Sequence, residues 1–420
     1  MSIDSEVSSR CRRNILLSLA AAGTACYTWR MKRVFLYVTR CALAVVFSLL
    51  FLSCASSKKD VASLSKDEWR TNHTYVFVHG LSGWGHYDFV NKLFPYWGMK
   101  NGSLIKTLNK SGFAAADASV APQGSAWDRA CELYAQLSGT VTDYGAEHSA
   151  RCSHARFGRD FSRNPLINQW DDEHKINLLG HSFGGVTVRL LAHLMAEGSQ
   201  AERDATNPDD LSPLFAGGHA SWIYSVTTLA APHNGTSAYH IPDENPGEKT
   251  RMQKAMDKHN APKDDGRADY DNAAFDMHVQ NAGEINRWLS TLGGAYYFSF
   301  ACRATVPDGE GNQIPEEEIM ESLFQRSSRR MGAFEGTSPD GVVFGKEWQE
   351  NDGLVNTVSA KSPDFAPRKD FSWDDGTAER GVWLMMPVYH GDHMSLQGGL
   401  TIKNPVADFY MRHLDMINRL

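Results

Sequence analysis

Gly180-His-Ser-Phe-Gly184 places a serine two positions from a glycine on each side. A serine hydroxyl acts as a nucleophile when it stands on a sharp turn that a base can reach. Such a turn crowds the backbone two residues away on either side, which is the reason for glycine there. A helix starting directly after the serine would aim its free N–H groups and positive end at a developing oxyanion. The pentapeptide alone is a weak signal. Its surroundings sharpen it: apolar Ile176–Leu179 leads in, and Gly185 with apolar Val186–Met195 leads out. Strand, turn and helix in that order suit acyl transfer through a serine ester.

The other parts of such a machine follow from chain order. Phe183, next to the serine, offers one oxyanion N–H. The second donor belongs on the loop after an earlier strand, and Leu81 follows the His79-Gly80 that ends the first strong strand pattern. The acid and the base should come later, in that order. Only His278, His390, His393 and His413 follow residue 260. His413 falls in the amphipathic stretch Val406–Leu420 and reads as a helix-surface residue. His390 and His393 both follow an apolar run at 382–388, as the base should. Asp352 sits in the turn Glu350-Asn-Asp-Gly-Leu-Val-Asn356, with Asp340, Asp364 and Asp374 as rivals. Pattern alone leaves both choices open.

These residues need a scaffold. Thr74–Val78, Ile176–Leu179, Trp222–Leu229, Tyr296–Phe300 and Val382–Met386 read as short buried strands, with helical stretches between several of them. That rhythm implies a mostly parallel sheet with helices on both faces. Residues 233–275 and 303–345 break the rhythm. They are too long for ordinary connections and read as functional insertions, the second of them irregular.

Composition bounds the function. Of 420 residues, 42% are apolar and 22% charged, with a net charge of −7, so no basic stripe for nucleic acid is expected. Residues 1–53 hold seven of the 42 basic and two of the 49 acidic groups, which leaves 35 against 47 in the remainder. A basic segment from Met31 to Arg40 precedes the apolar run Cys41–Leu52, then Ser53-Cys54-Ala55. This is the layout of an export signal; the run is shorter than the ~18 residues of a membrane span. Cys54 stands where bacterial lipoprotein signals place the lipidated cysteine, and Met31 is the expected initiator. The expected organisation is a leader over 1–53, a lipidated tether over 54–70 and a catalytic domain over 71–420. With Cys54 acylated, Cys131, Cys152 and Cys302 allow one disulfide at most.

Several longer strings converge on a family. Val78-His-Gly-Leu-Ser-Gly-Trp-Gly85, Trp127-Asp-Arg-Ala-Cys-Glu132, Asp143-Tyr-Gly-Ala-Glu-His148, His154-Ala-Arg-Phe-Gly-Arg159, Pro232-His-Asn-Gly-Thr236, Glu350-Asn-Asp-Gly353 and Asp392-His393 occur in order over residues 74–393. Together with the serine motif they resemble the zinc-containing bacterial triacylglycerol lipases, the staphylococcal and thermoalkalophilic kind. The resemblance implies an α/β-hydrolase fold, with Asp352 as triad acid and His393 rather than His390 as base. His393 would take the Ser182 proton, the N–H groups of Leu81 and Phe183 would hold the oxyanion, and water would release the acyl group.

It also implies a structural zinc on Asp128, His148, His154 and Asp276. Two imidazoles and two carboxylates can close a tetrahedral site. The six-residue spacing of the histidines does not suit one helix face, so a clamped loop is expected. Cys152, lying between them, is a possible soft competitor. Relatives bind calcium through acids after the catalytic histidine; Met394–Leu400 has none, so no calcium site is expected there. Insertion 233–275 falls where relatives carry a lid, yet it is highly charged and offers only Met252, Ala255 and Met256 as an apolar face. The leading expectation is a membrane-anchored triacylglycerol lipase. The same triad would also serve a phospholipase or short-chain esterase. A non-catalytic lipid-binding lipoprotein would show a broken triad, which this sequence does not. Chain length preference and oligomeric state are not written in the pattern.

Overall fold

The computed structural model describes residues 66–241, 266–338, 341–375 and 377–420. The leader, Cys54, most of the tether and the charged patch at 248–258 lie outside the described residues. Seven strands form the central sheet: β1 (Thr74–Val78), β2 (Ala115–Ala118), β3 (Ile176–His181), β4 (Ile223–Leu229), β5 (Tyr296–Phe300), β6 (Arg368–Asp370) and β7 (Trp383–Met385). They lie in the order β6-β7-β5-β4-β3-β1-β2, and every neighbouring pair is parallel.

Successive side chains of a strand face opposite ways, so a sheet covered on both sides needs apolar residues at every position. β1 meets this: Val76 and Val78 enter one apolar cluster, Tyr75 and Phe77 the other. All four are fully buried, each of these large side chains contributing about 1.5–3 kcal/mol.

The covering elements relevant to the site are α1 (Ala126–Ser138), α2 (Ala146–Cys152), α3 (Phe183–Glu197), α4 (Val279–Trp288), α5 (Ser322–Ala333) and α6 (Ala407–Arg419). Ser125 caps α1 by accepting the Asp128 N–H, and Gly139 ends it in the left-handed conformation, φ 66°.

Two strands escape sequence patterning. β2 is Ala-Ala-Asp-Ala, without a β-branched residue, and β6 is Arg-Lys-Asp. Both are sheet edges, where register with a neighbour decides more than propensity. The stretch 303–345, expected to be irregular, contains helix α5; its Ser- and Arg-rich sequence masks an apolar face of Phe324 and Met331. His413, expected on a helix surface, is fully buried in α6, its Nε2 lying 3.0 Å from Thr227 Oγ1 and its ring between Phe298 and Phe300. Cys131, Cys152 and Cys302 are free and buried.

Candidate active site and metal centre

β3 runs into α3 through Ser182, whose φ of 54° and ψ of −129° are strained for a residue with a side chain, by about 1–3 kcal/mol. The turn leaves no room beside it. A Cβ on Gly180 would stand 2.3 Å from Gly184 O, and one on Gly184 would stand 2.3 Å from Val78 O. The two glycines of the motif are therefore steric requirements of the turn that lifts the serine.

Around that serine the chain brings its expected partners together. Ser182 Oγ lies 2.8 Å from His393 Nε2, and His393 Nδ1 lies 2.8 Å from Asp352 Oδ2. Asp352 is fully buried; its Oδ1 accepts the Leu354 and Val355 N–H groups at 3.0 and 2.8 Å. The backbone helps as well, His393 N donating to Asp352 O at 2.9 Å. The rivals stand elsewhere. His390 is exposed and bonds Glu316, Asp374 pairs with Arg412, and Asp364 pairs with Arg368. The Asp340 position is outside the described residues. Leu81 follows β1, and Phe183 opens α3. Among the described residues neither N–H has an acceptor.

Sequence reasoning missed the polar frame beneath these groups. Gly80 N–H donates to Tyr96 Oη at 3.0 Å, and Tyr96 Oη lies 2.8 Å from His181 Nδ1. On its other side His181 Nε2 bonds His393 O at 2.8 Å. The middle residue of the serine motif thus ties the loop of Leu81 to the loop of His393. Burial, reinforced by the nearby His393, pushes the His181 pKa well down, so it serves as a neutral linker. A histidine inside a glycine–serine turn was the available hint. Two buried carboxylates brace the His393 loop. Asp392 accepts the Glu321, Met394 and Ser395 donors, and Glu321 accepts the Thr401 and Ile402 N–H groups. Burial raises the Asp392 pKa to about 6.

A cleft of about 450 Å³ opens over Ser182, with Leu81, Met99, Met277, Leu323, Phe324 and Leu354 among its lining residues. Its walls come from both insertions. Arg326 and Arg330 of α5 also line it.

Asp128, His148 and His154 meet at the first turn of α1. His148 Nε2 lies 3.1 Å from Asp128 Oδ1, and His154 Nε2 lies 3.7 Å from it. His148 belongs to helix α2, whose N-terminal N–H groups at Glu147 and His148 are satisfied by buried Glu202. Ser153, with φ 60°, then reverses the chain so that His154 faces the same point. The expected clamped loop is thus a short helix with a left-handed end.

Asp276 does not join this group. Its carboxylate accepts the Ala126 N–H at 2.7 Å, at the start of α1, and burial raises its pKa to about 7. Asp271 takes the position instead, its oxygens 3.6 Å from His148 Nε2 and 3.5 Å from His154 Nε2. A five-residue slip along 271–276 separates two aspartates that spacing alone could not rank. Donor atoms of His148, Cys152, His154 and Asp271 all lie within 4.8 Å of one another. Both Asp271 oxygens and His154 Nε2 are buried without a hydrogen-bond partner. Orphaned buried donors and acceptors of this kind fit a metal ion.

Glu132, one turn beyond Asp128, carries a separate charge effect. It accepts the Ala121 N–H and the Tyr144 hydroxyl, yet burial raises its pKa to about 7 from the usual 4.5. Between those values the folded protein keeps a proton that the unfolded chain has released, so stability falls as pH rises through the window. Glu132→Gln cannot ionise and escapes that loss. Urea unfolding at pH 5 and pH 8 should show the variant gaining up to about 3 kcal/mol on the natural protein at the higher pH. A difference that does not change with pH would mean that Glu132 titrates normally.

The chain is similar to known bacterial lipases in sequence and in fold. Residues 71–264 match the family model described as lipase-like, C-terminal domain. Lipase 2 of Staphylococcus aureus (strain MSSA476) is 28% identical over 409 residues, covering 88% of this chain and 57% of that protein. A lipase of Staphylococcus epidermidis (strain RP62A) is 30% identical over 363 residues, covering 80% and 51%. The chain thus spans about half the length of these curated relatives. Among solved structures, EstA from Clostridium botulinum superposes with a TM-score of 0.74 at 29% identity, over 83% of this chain and 88% of that one. Staphylococcus hyicus lipase gives 0.69 at 25% identity, over 85% and 98%. The chain has the α/β-hydrolase fold, and in sequence and fold it is similar to bacterial lipases of the staphylococcal kind.

Proposed function

We propose that the chain is a carboxylic ester hydrolase acting on acylglycerols, with Ser182, His393 and Asp352 as its triad. The observation carrying this is the unbroken run of 2.8 Å contacts from serine to histidine to aspartate beneath a largely apolar cleft. His393 Nε2 takes the Ser182 proton as Oγ attacks the ester carbonyl. Asp352 holds the Nδ1–H tautomer and stabilises the imidazolium. The N–H groups of Leu81 and Phe183 receive the oxyanion. His393 then protonates the leaving alcohol, and water repeats the sequence on the acyl-enzyme.

A second reading, phospholipid as substrate, draws on Arg326 and Arg330 at the cleft, whose charge suits a phosphate diester. The metal reading is a structural zinc held among Asp128, His148, His154 and Asp271, with Cys152 Sγ within reach of the same point. When bound, the ion would neutralise buried donors and fix the loop from Ala146 to His154; it has no part in the ester chemistry. Export with lipidation at Cys54 rests on the basic and apolar pattern of residues 31–54. Among the described residues no helix is long and apolar enough to cross a membrane.

The test is a substrate series with the purified chain and its Ser182→Ala twin: soluble short esters, emulsified triglyceride and phosphatidylcholine vesicles. Serine-dependent turnover of emulsified long chains is the expected result. Turnover of soluble short esters alone would leave an esterase, and turnover mainly of vesicles would favour the phospholipase. No serine-dependent turnover on any ester would sink the proposal.

A further inference from the structure

We propose that Arg129 is a positioning residue for both halves of the oxyanion hole. The inference rests on the ester-hydrolase reading, since an oxyanion forms only if Ser182 attacks a carbonyl.

Arg129 lies on α1, next in sequence to Asp128, and is fully buried. Among the described residues no carboxylate forms an ion pair with it. Its donors go to other groups. One terminal nitrogen, Nη2, donates to His79 O. The other, Nη1, donates to Ala121 O at 3.0 Å and reaches Gly80 O at 3.5 Å. Nε donates to Thr187 Oγ1 at 2.9 Å, and the guanidinium carbon lies 5.2 Å from the centre of the Phe183 ring. One side chain thus touches the loop that carries Leu81 N–H and the residue that carries Phe183 N–H.

Peptide geometry turns those contacts into aim. In a planar trans peptide the C=O and N–H point in opposite directions. Gly80 C=O and Leu81 N–H share one peptide. His79 Nε2 accepts the Val120 N–H at 3.2 Å, so the ring proton sits on Nδ1, which donates to Gly80 O at 2.8 Å. With that oxygen held by His79 and faced by Arg129, the Leu81 N–H points away from both. The loop lies directly against the nucleophile, since a Cβ on Gly80 would stand 2.7 Å from Ser182 Cβ. On the other half, Thr187 Oγ1 accepts from Arg129 and donates to Phe183 O at 3.1 Å, tying the guanidinium to the first turn of α3.

Energetics argue that this is more than packing. A buried guanidinium without a carboxylate in contact carries a desolvation cost that an apolar side chain of similar volume avoids. Its placement makes sense where rigid donors and a fixed positive charge are needed next to a charge that appears only during reaction.

The test uses the full chain, a soluble p-nitrophenyl ester and an alkyl boronic acid, whose tetrahedral adduct with a serine puts an oxygen in the oxyanion position. Arg129→Lys should lower kcat by about 10²–10³-fold, the scale of losing one oxyanion donor, with KM nearly unchanged. Its boronate affinity should fall in parallel with kcat/KM, while the pH profile of kcat/KM keeps its shape. A folded lysine variant whose kcat and boronate affinity match the natural protein, or which loses only in KM, would overturn the proposal. If that variant does not fold, Thr187→Val carries the test, because the guanidinium stays while its hydrogen bond to α3 is lost together with the Thr187 bond to Phe183 O. The expected loss is about fivefold in kcat, the scale of one hydrogen bond; an unchanged kcat overturns the proposal. Absence of serine-dependent turnover in the natural chain is a different failure, that of the hydrolase reading itself.

Discussion

Ser182→Ala and His393→Ala should each lower kcat for ester hydrolysis by roughly 10⁶-fold, and the double variant should be no slower than either single one. Among the described residues the serine hydroxyl has one base in reach, His393 Nε2 at 2.8 Å. Removing either partner therefore stops the same proton transfer, and the second removal has nothing left to take away. Asp352→Asn should cost less, about 10⁴-fold, because it leaves the serine–histidine contact in place and acts through the imidazole tautomer. Asp352 Oδ1 also accepts two backbone N–H groups, so the asparagine must turn its amide nitrogen towards His393 Nδ1, which disfavours the proton there. Single-turnover rates on a soluble ester, with melting curves to verify folding, check all four variants. Additive losses in the double variant would show that Ser182 and His393 do not work as a unit.

The parts of this site that can be read from sequence are those governed by local geometry. A strand, a two-glycine turn and an apolar helix fix Ser182, since no residue far away is needed to explain the spacing. The donors at Leu81 and Phe183 follow from chain order once the serine is known. The inner strands of the sheet are buried on both faces, so β1, β4 and β5 announce themselves as dense β-branched and aromatic runs. Edge strands β2 and β6 do not, because one flank of each is open and their residues are less buried, so little selects apolar side chains.

What stays hidden depends on contacts between distant segments. Arg129 looks like a helix-surface charge until the fold closes over it. His181 passes for a spacer until Tyr96 and His393 O are found on its two nitrogens. His413 sits in an amphipathic helix, and only tertiary packing shows its ring lying between two phenylalanines. Asp271 and Asp276 are five residues apart in a polar stretch, and which of them turns inward is decided by the short helix Ala273–Asp276, at whose C-terminal end Asp276 stands beside the start of α1.

That last distinction gives the second large effect: chelation should lower the melting temperature by roughly 5–10 °C. A free ion at 100 times its dissociation constant adds about 2.7 kcal/mol, and each kcal/mol moves the midpoint of a large domain by about 2–4 °C. The physical source is the set of unsatisfied groups left behind. Asp271 has a fully buried side chain whose oxygens have no hydrogen-bond donor, and the same holds for the acceptor side of His154 Nε2. Arg267 hydrogen-bonds Asp128 Oδ2 at 2.6 Å and pairs with Asp271 Oδ2 at 3.5 Å without a hydrogen bond to it. Asp271→Ala should melt low, contain little zinc and ignore the chelator. Asp276→Ala should keep about one equivalent of zinc and its chelator response, because its role is to accept the Ala126 N–H. Metal content measured on the two variants separates the cases: zinc retained without Asp271 and lost without Asp276 would return the fourth ligand to Asp276. A melting curve unmoved by chelator in the natural chain would remove the structural metal altogether. A fall in initial rate at a temperature well below both midpoints would show that the ion reaches the ester chemistry, through Asp128 and its neighbour Arg129 on α1.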